Sequence, residues 1–459
     1  METYMQHKIT KIPDWVPDDE NYLNELGKEG WELVHIYNQH AYLKSTNQGT
    51  LSQGSLNTNV DAFGRSRVSE PFTLGDYKHI YGVDQAFINV TGSGGTITDS
   101  YNRSSVILAT SASIGSRAVH QTKMYHNYMP GKSQEILSSY IFRGAQPGVI
   151  KRTGYFDDYN GIFLEQDQTG SLQFVIRSAT NGTASIQENR IKQEDWNVNT
   201  LLDGEFILDT LYAQLLYIDF QWLSVGRVRM GFVHKGVTVL CHVFDTSNEF
   251  DVAYMQSPNL PVRCEIRNTT TATGSMEQIC STVMSEGGYA ESGFVFSHSN
   301  ESFRSLTSGS SLPILAIRIK NTFNVSGLPT RAFVRVQDAS VFSDLKTIRW
   351  TLTKLPSKSY LTTGSAWISA DSSSVVEYNT SATAWTDGKV MLSGYVGASG
   401  QNPNQAKPAL QTAGGVYTKL NFIAQNYDST DSEIYIVTAK NLTADTTNVG
   451  GTITWNEIY

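Results

Sequence analysis

The sequence predicts a mainly β protein organised around a β-sandwich, and three observations carry that prediction. Only 17% of the 459 residues are charged against 40% hydrophobic, and Gly, Ser, Thr and Asn are abundant. That composition suits short strands joined by many turns and not long helices, which favour Ala, Leu, Glu and Lys. Apolar residues alternate with period two in runs bounded by turn residues, the pattern of strands with one face buried. No heptad repeat and no long amphipathic helix breaks the pattern.

Residues 1–45 read as a small α+β domain of order β-α-β-β. His7 to Ile12 is a short strand. Pro17 and Asp18 open a helix, Asp19 and Glu20 suit the positive end of its dipole, and Tyr22, Leu23 and Leu26 form its apolar stripe. Gly27 and Gly30 stop it. Trp31 to Tyr37 and Ala41 to Lys44 then form a hairpin about Asn38-Gln39-His40, with Trp31 expected in the helix–sheet interface. The run LNELGKEGWELVHIYNQHAYLK resembles a small, widespread β-α-β-β domain of the G-K-E-G-W-E-L-V type. So small a unit buries little apolar area by itself, so it is expected to dock on the main body or on a partner.

Residues 46–82 form a linker and an extended arm. STNQGTLSQGSLNTNV is polar and without periodicity, a domain boundary. The arm DAFGRSRVSEPFTLGDYKHIYG follows, with Arg65 and Arg67 on one side of an extended chain. It resembles the D-A-F-G-R-x-R-V-S-x-P-F-T-L segment of a family of tailed-bacteriophage virion structural proteins. The resemblance implies that Phe63, Arg65 and Arg67 make a subunit contact. The residues alone leave open that they clamp the arm onto its own sandwich.

Residues 83–355 are expected to form the sandwich body. Val228, Met230 and Phe232 face one way, Arg227 and Arg229 the other, and Lys235-Gly236 turns the chain. Val237, Val239, Cys241 and Val243 then alternate against Thr238, Leu240, His242 and Phe244, a hairpin with both faces covered. The stretch from Leu201 to Leu216 is ambiguous, and its second half reads as strand. Residues 356–459 are expected to form a C-terminal β domain closed by a pair of strands, Glu433 to Ala439 and Gly451 to Ile458, with Ile453 and Trp455 on one face. Residues 397–415 read as a long exposed loop. GYFDDYNGIFLEQDQTGSLQFVIRS, YIDFQWLSVGRVRMGFVHKG, YMQSPNLPVRCEIRNT and QICSTVMSEGGY resemble, in this order, blocks of the same virion family. With the arm and the tail, the resemblance spans about residues 56–459. The layout also looks like a jelly-roll, concanavalin-like sandwich.

Several chemistries find no motif. A net charge of −8 and the lack of any Lys/Arg block argue against nucleic acid as a partner. No run has the length of a signal peptide or of a membrane span, so a chain soluble when made, without membrane insertion, is expected. Cys241, Cys264 and Cys280 lack C-x-x-C spacing and read as buried free thiols, which suit assembly in a reducing cytoplasm. His234, His242 and Asp245 lack a nucleophile elbow, and no H-E-x-x-H or P-loop occurs. Asp157, Asp158 and Asn160 precede Gly161 but miss the full spacing of a Ca²⁺ loop, so a solvated turn is expected. No cofactor is expected, although Ca²⁺ is common in concanavalin-like folds. Tyr125, Tyr128 and Trp385 are candidates for glycan contact if their rings are exposed, with core or interface packing as the alternative.

The expected function is a structural component of a tailed phage virion and not an enzyme. It would be an exposed tail or adsorption-apparatus subunit, or a capsid decoration subunit, anchored by its N-terminal region. It would assemble in the host bacterial cytoplasm as a homo-oligomer, a trimer by preference, contacting other virion proteins. The alternative is a lectin-like receptor-binding protein that recognises host surface glycan.

Overall fold

In a computed structural model the described residues are 61–63, 71–82, 84–287, 293–323, 329–344, 346–397 and 421–458, with the backbone of three strands nearer the N-terminus. The chain divides into two compact units, Met1–Val60 and Asp61–Tyr459. In the first, strand His40–Ser45 lies between His7–Lys11 and Trp31–Tyr37 in an antiparallel sheet, with Tyr37 opposite His40 at the hairpin end. The expected helix, the side chain of Trp31 and the arm residues Arg65 and Arg67 lie outside the described residues.

The second unit holds two β-sandwiches. The first stacks a seven-stranded sheet on an eight-stranded one. The seven run in the order Gln187–Lys192, Leu172–Ser178, Gly161–Gln166, Val149–Phe156, Val262–Asn268, Arg117–Thr122 and Phe87–Gly92. All neighbours pair antiparallel, so alternate residues of each strand share a face. Tyr155, Ile162, Leu164, Phe174, Val262 and Ile266 point into the core against Ile136, Ile218, Met230 and Phe232 of the second sheet. Each such fully buried side chain contributes about 1.5–3 kcal/mol relative to exposure.

The hairpin of Val228–His234 and Val237–Phe244 forms as expected about Lys235 and Gly236, both at positive φ (49° and 79°), the turn geometry that matches strand twist. Its strict alternation does not persist. The register shifts between Met230 and Gly231, so that Met230 faces His242 and Gly231 faces Leu240. Cys241 is the extra residue of a bulge. The shift turns Phe244, not Val243, onto the core beside Val228. Within the ambiguous 201–216 stretch, strand begins at Gln214.

The second sandwich stacks a five-stranded sheet, with Thr447–Ile458 between Phe294–Ser299 and Phe333–Ser343, on a six-stranded one. Trp350 and Trp455 fill its core with Ile317, Val336, Val437 and Ile453. Ser311–Ile319 pairs with Val376–Asn379 and Ile434–Asn441, and Ile348–Leu355 pairs with Lys389–Val396. Strands on both sides of residue 355 therefore belong to one sheet, and the division between the sandwiches falls between Ser285 and Phe294. The expected closing pair is likewise corrected. Ile434–Asn441 and Thr447–Ile458 lie in opposite sheets, and the last strand pairs with Phe333–Ser343. Ile453 and Trp455 do share the core face. Beyond Gly397, the expected long loop lies outside the described residues.

Cys241 and Cys264 are buried and free, and burial pushes the Cys264 thiol up to about 12. Cys280, expected to be buried, is free but exposed; it lies in strand Ser275–Ser285, inside the eight-stranded sheet, at a register shift against Gln134–Ile141.

Candidate functional site

The turn between strands Val149–Phe156 and Gly161–Gln166 is the hub of the second unit. A solvated turn is expected there, and two of its residues depart from that, while Asp158 stays half-exposed. Asp157 and Asn160 are each 3% exposed. One carboxylate oxygen of Asp157 accepts the N–H groups of Tyr159 and Asn160 at 2.7 and 2.8 Å, which fixes the turn. The other accepts Nε and Nη2 of Arg331, at 3.1 and 2.9 Å, from the second sandwich. Arg331 also donates to Ser429 and lies 4.4 Å from the centre of the Tyr125 ring. Asp158 accepts Nη2 of Arg263 at 2.9 Å, Nη2 of Arg117 at 3.1 Å and the hydroxyl of Tyr427, which comes from the second sandwich. Burial opposes the charge on Asp158, but Arg263, the Tyr427 hydroxyl and Arg117 together hold its carboxyl below the usual range. A third link joins Lys123 to Glu433 at 3.2 Å, and Glu433 also holds Lys354 at 2.5 Å. These links form a seam between the two sandwiches.

The outer face of the seven-stranded sheet continues the network. Cross-strand register lines up Glu265, Arg152, Glu165 and Gln173 side by side. Arg152 donates to Glu165 at 2.5 Å and to Glu265 at 3.3 Å, and Gln173 donates to Glu165 at 2.5 Å. Arg177 donates to Glu188 at 2.7 Å. Arginines also lie over aromatic rings: Arg177 over Phe163 at 4.9 Å and Arg263 over Phe156 at 5.1 Å. The sheet accommodates this crowding at Gly154 (φ 152°), where a Cβ would come within 2.7 Å of the Phe163 backbone. Burial opposes the charge of Glu265, and Arg263, Arg152, Arg117 and Arg177 outweigh it, holding its carboxyl well below the usual range.

This arrangement holds charge in place and is poorly suited to moving protons. A glycosidase needs one carboxyl kept protonated by a raised pKa beside an ionised one. Here Glu165 and Glu265 share one guanidinium, and Glu265 is shifted down. Among the described residues no group of three or more His, Cys, Asp or Glu is gathered to hold a metal ion. The oxygens of Asp157 accept from Arg331 and backbone N–H groups, and those of Asp158 from Arg117, Arg263 and the Tyr427 hydroxyl.

The sequence-predicted residues do not come together. Tyr128 is a core residue, stacked 5.6 Å from Phe220, its hydroxyl donating to the Lys132 carbonyl; its ring is not offered to a ligand. Tyr125 is in the seam with Arg331 on its face, and Trp385 packs half-buried beside Leu355 and Leu361. Asp61 and Ala62 are buried, and the Ala62 carbonyl accepts Gln221 Nε2 at 3.2 Å, so the Asp61–Phe63 turn sits on its own sandwich. His242 accepts the Asn197 N–H at 3.2 Å as a structural imidazole. The residues missed were Arg331, Tyr427 and Glu433. A readable signal did exist in VRCEIRN, where Arg263, Glu265 and Arg267 alternate with core residues, a strand charged on the face opposite the core.

No protein family matches the chain, and no curated protein matches it. Among solved structures it is similar to a GH16 of a Bacteroides ovatus mixed-linkage glucan locus in complex with product. That match has 12% identity and a TM-score of 0.31, covering 46% of this chain and 99% of that one. It is similar to the potassium-bound carbohydrate recognition domain of Emp46p (10% identity, TM-score 0.28, covering 48% and 98%). It is also similar to a carbohydrate esterase from the Shiga toxin-encoding bacteriophage phi24B (12%, 0.28, covering 48% and 100%). At these values the likenesses transfer neither activity nor ligand. The mainly β, antiparallel sandwich class is set by the chain's own sheets.

Proposed function

We propose that the chain is a structural subunit of a tailed bacteriophage particle, exposed on the tail, its adsorption apparatus or the capsid, and that it is not an enzyme. The seam carries this reading. Buried pairs of opposite charge contribute little net stability compared with apolar packing, but they fix one arrangement, because any other leaves a charge buried and unpaired. Two sandwiches held at one mutual angle make a rigid block, the mechanical property a particle component needs. The D-A-F-G-R-x-R-V-S arm and the four ordered blocks support the same reading from sequence. The expected arm is in part built into the sandwich, since Phe72–Lys78 pairs with Ser275–Ser285, so the segment before Asp61 would anchor the block to other virion proteins, in a closed homo-oligomer, a trimer by preference.

The test is quantitative mass spectrometry of density-purified particles of the phage that encodes the chain. The proposal expects the full chain in many copies per particle, resistant to salt washing. Its absence from infectious particles, with the chain found free in the lysate, would overturn the proposal.

A further inference from the structure

A cleft of about 270 Å³ opens where the two sandwiches meet, next to the Asp157–Arg331 pair. We infer that it binds one ring of a neutral sugar. The inference does not depend on where the chain sits in a particle.

The charge of the cleft comes first. Asp157 and Arg331 cancel, so the cleft offers a free phosphate or carboxylate no net attraction. Phe323, Pro329, Ala332 and Val375 give part of its lining an apolar character. The rest carries polar groups held by hydrogen bonds. The Asn259 side-chain oxygen accepts the Tyr128 N–H at 2.9 Å, which leaves its NH₂ to donate. The Gln256 oxygen accepts Asn160 Nδ2 at 3.2 Å, which leaves its NH₂ likewise. Asn160 is itself immobilised, because its oxygen accepts the backbone N–H groups of Ala179 and Gln256. The Ser257 oxygen accepts the Asn259 N–H at 3.3 Å, so its O–H remains to donate.

Thr330 is the telling residue. It is 5% exposed, lines the cleft, and its hydroxyl has no hydrogen-bond partner among the described residues. A buried hydroxyl left unsatisfied has lost its water without gaining a partner in return. A bound hydroxyl would satisfy it. The ligand that matches this lining has an apolar face, several hydroxyl oxygens and no charge. The volume is near the lower end of ligand pockets, about 300–1,000 Å³, which suits a single ring.

The experiment is saturation-transfer difference NMR of the full chain with the methyl glycosides of glucose, galactose, mannose and N-acetylglucosamine, and with the charged sialoside as control. Binding is then titrated for the variants. Asn259→Asp keeps the oxygen that holds Tyr128 and removes the NH₂. Thr330→Val removes the hydroxyl at constant shape, and its melting temperature should hold or rise, which shows the fold intact. Each variant is expected to weaken binding about tenfold, the loss of one or two hydrogen bonds. Three results would overturn the inference: no transfer from any neutral glycoside, transfer from the sialoside alone, or affinity unchanged in both variants. A particle subunit without this affinity would fail only here, and a sugar binder missing from particles would fail only the mass-spectrometric test.

Discussion

Replacing Arg331 by Met tests the seam most sharply. The arginine gives two hydrogen bonds to Asp157, one to Ser429, and a cation–π contact to Tyr125 at 4.4 Å. Met fills much of the same volume, so the loss is mainly electrostatic. It leaves the Asp157 carboxylate, 4% exposed, without its cation. Removing one partner of a buried ion pair costs about 3–5 kcal/mol, and the cation–π contact adds about 0.5–2 kcal/mol. Asp157→Asn is milder, because Asn keeps the oxygen that accepts the Tyr159 and Asn160 N–H groups. The double variant has no orphaned charge. Its destabilisation should therefore fall short of the sum of the two single changes by about 2–3 kcal/mol, the upper range for contacting residues. Urea unfolding of the four proteins, followed by tryptophan fluorescence, gives the cycle. Singles that add to within about 0.5 kcal/mol would refute the claim that this pair couples the two sandwiches.

Acid should weaken the protein before its carboxylates titrate. Burial pushes the His126 imidazole from 6.5 down to about 4, and its backbone bond to Leu260 only partly offsets this. The unfolded chain therefore takes up the proton first. The stabilisation is complete above about pH 6.5 and is lost as pH falls toward 4, about 3 kcal/mol for this group. Urea midpoints measured at intervals between pH 7.5 and 4 should fall, and His126→Asn should flatten the slope; a flat wild-type profile would contradict the burial. Gly154→Ala should cost about 2–3 kcal/mol, because its Cβ meets backbone at φ 152° and has nowhere to move; an unchanged melting temperature would contradict the packing of the outer face. In the native protein Cys280 should react with a thiol reagent within minutes while Cys241 and Cys264 react only on unfolding, and rapid labelling of all three would contradict the core assignment.

What could be read from the sequence followed from local rules. The period-two runs gave the sandwich class, and Lys235-Gly236 placed its hairpin where it forms. Ile453 and Trp455 showed their shared face. What could not be read depended on distant neighbours. The bulge at Cys241 answers to the strand opposite, so strict alternation put Val243 where Phe244 belongs. The division between the sandwiches was misplaced because strand pattern does not record which strands pair. Asp157 and Asp158 resemble a solvated turn in sequence, since their partners Arg331 and Tyr427 lie 174 and 269 residues away. Aromatic content suggested sugar platforms at Tyr125, Tyr128 and Trp385, yet an aromatic ring gives the sequence no sign of whether it will be covered. The residues of the cleft, Asn259 and Thr330 among them, belong to loops that only the meeting of the two sandwiches brings together.

A cryo-EM map of the intact phage particle is the most direct measurement. Repeated density is expected on the particle surface into which residues 61–458 fit as one body, both sandwiches at the angle set by Arg331 and Tyr427, with the N-terminal segment against a neighbouring protein. A map with no such density, or one with the two sandwiches at differing angles from copy to copy, would contradict this expectation.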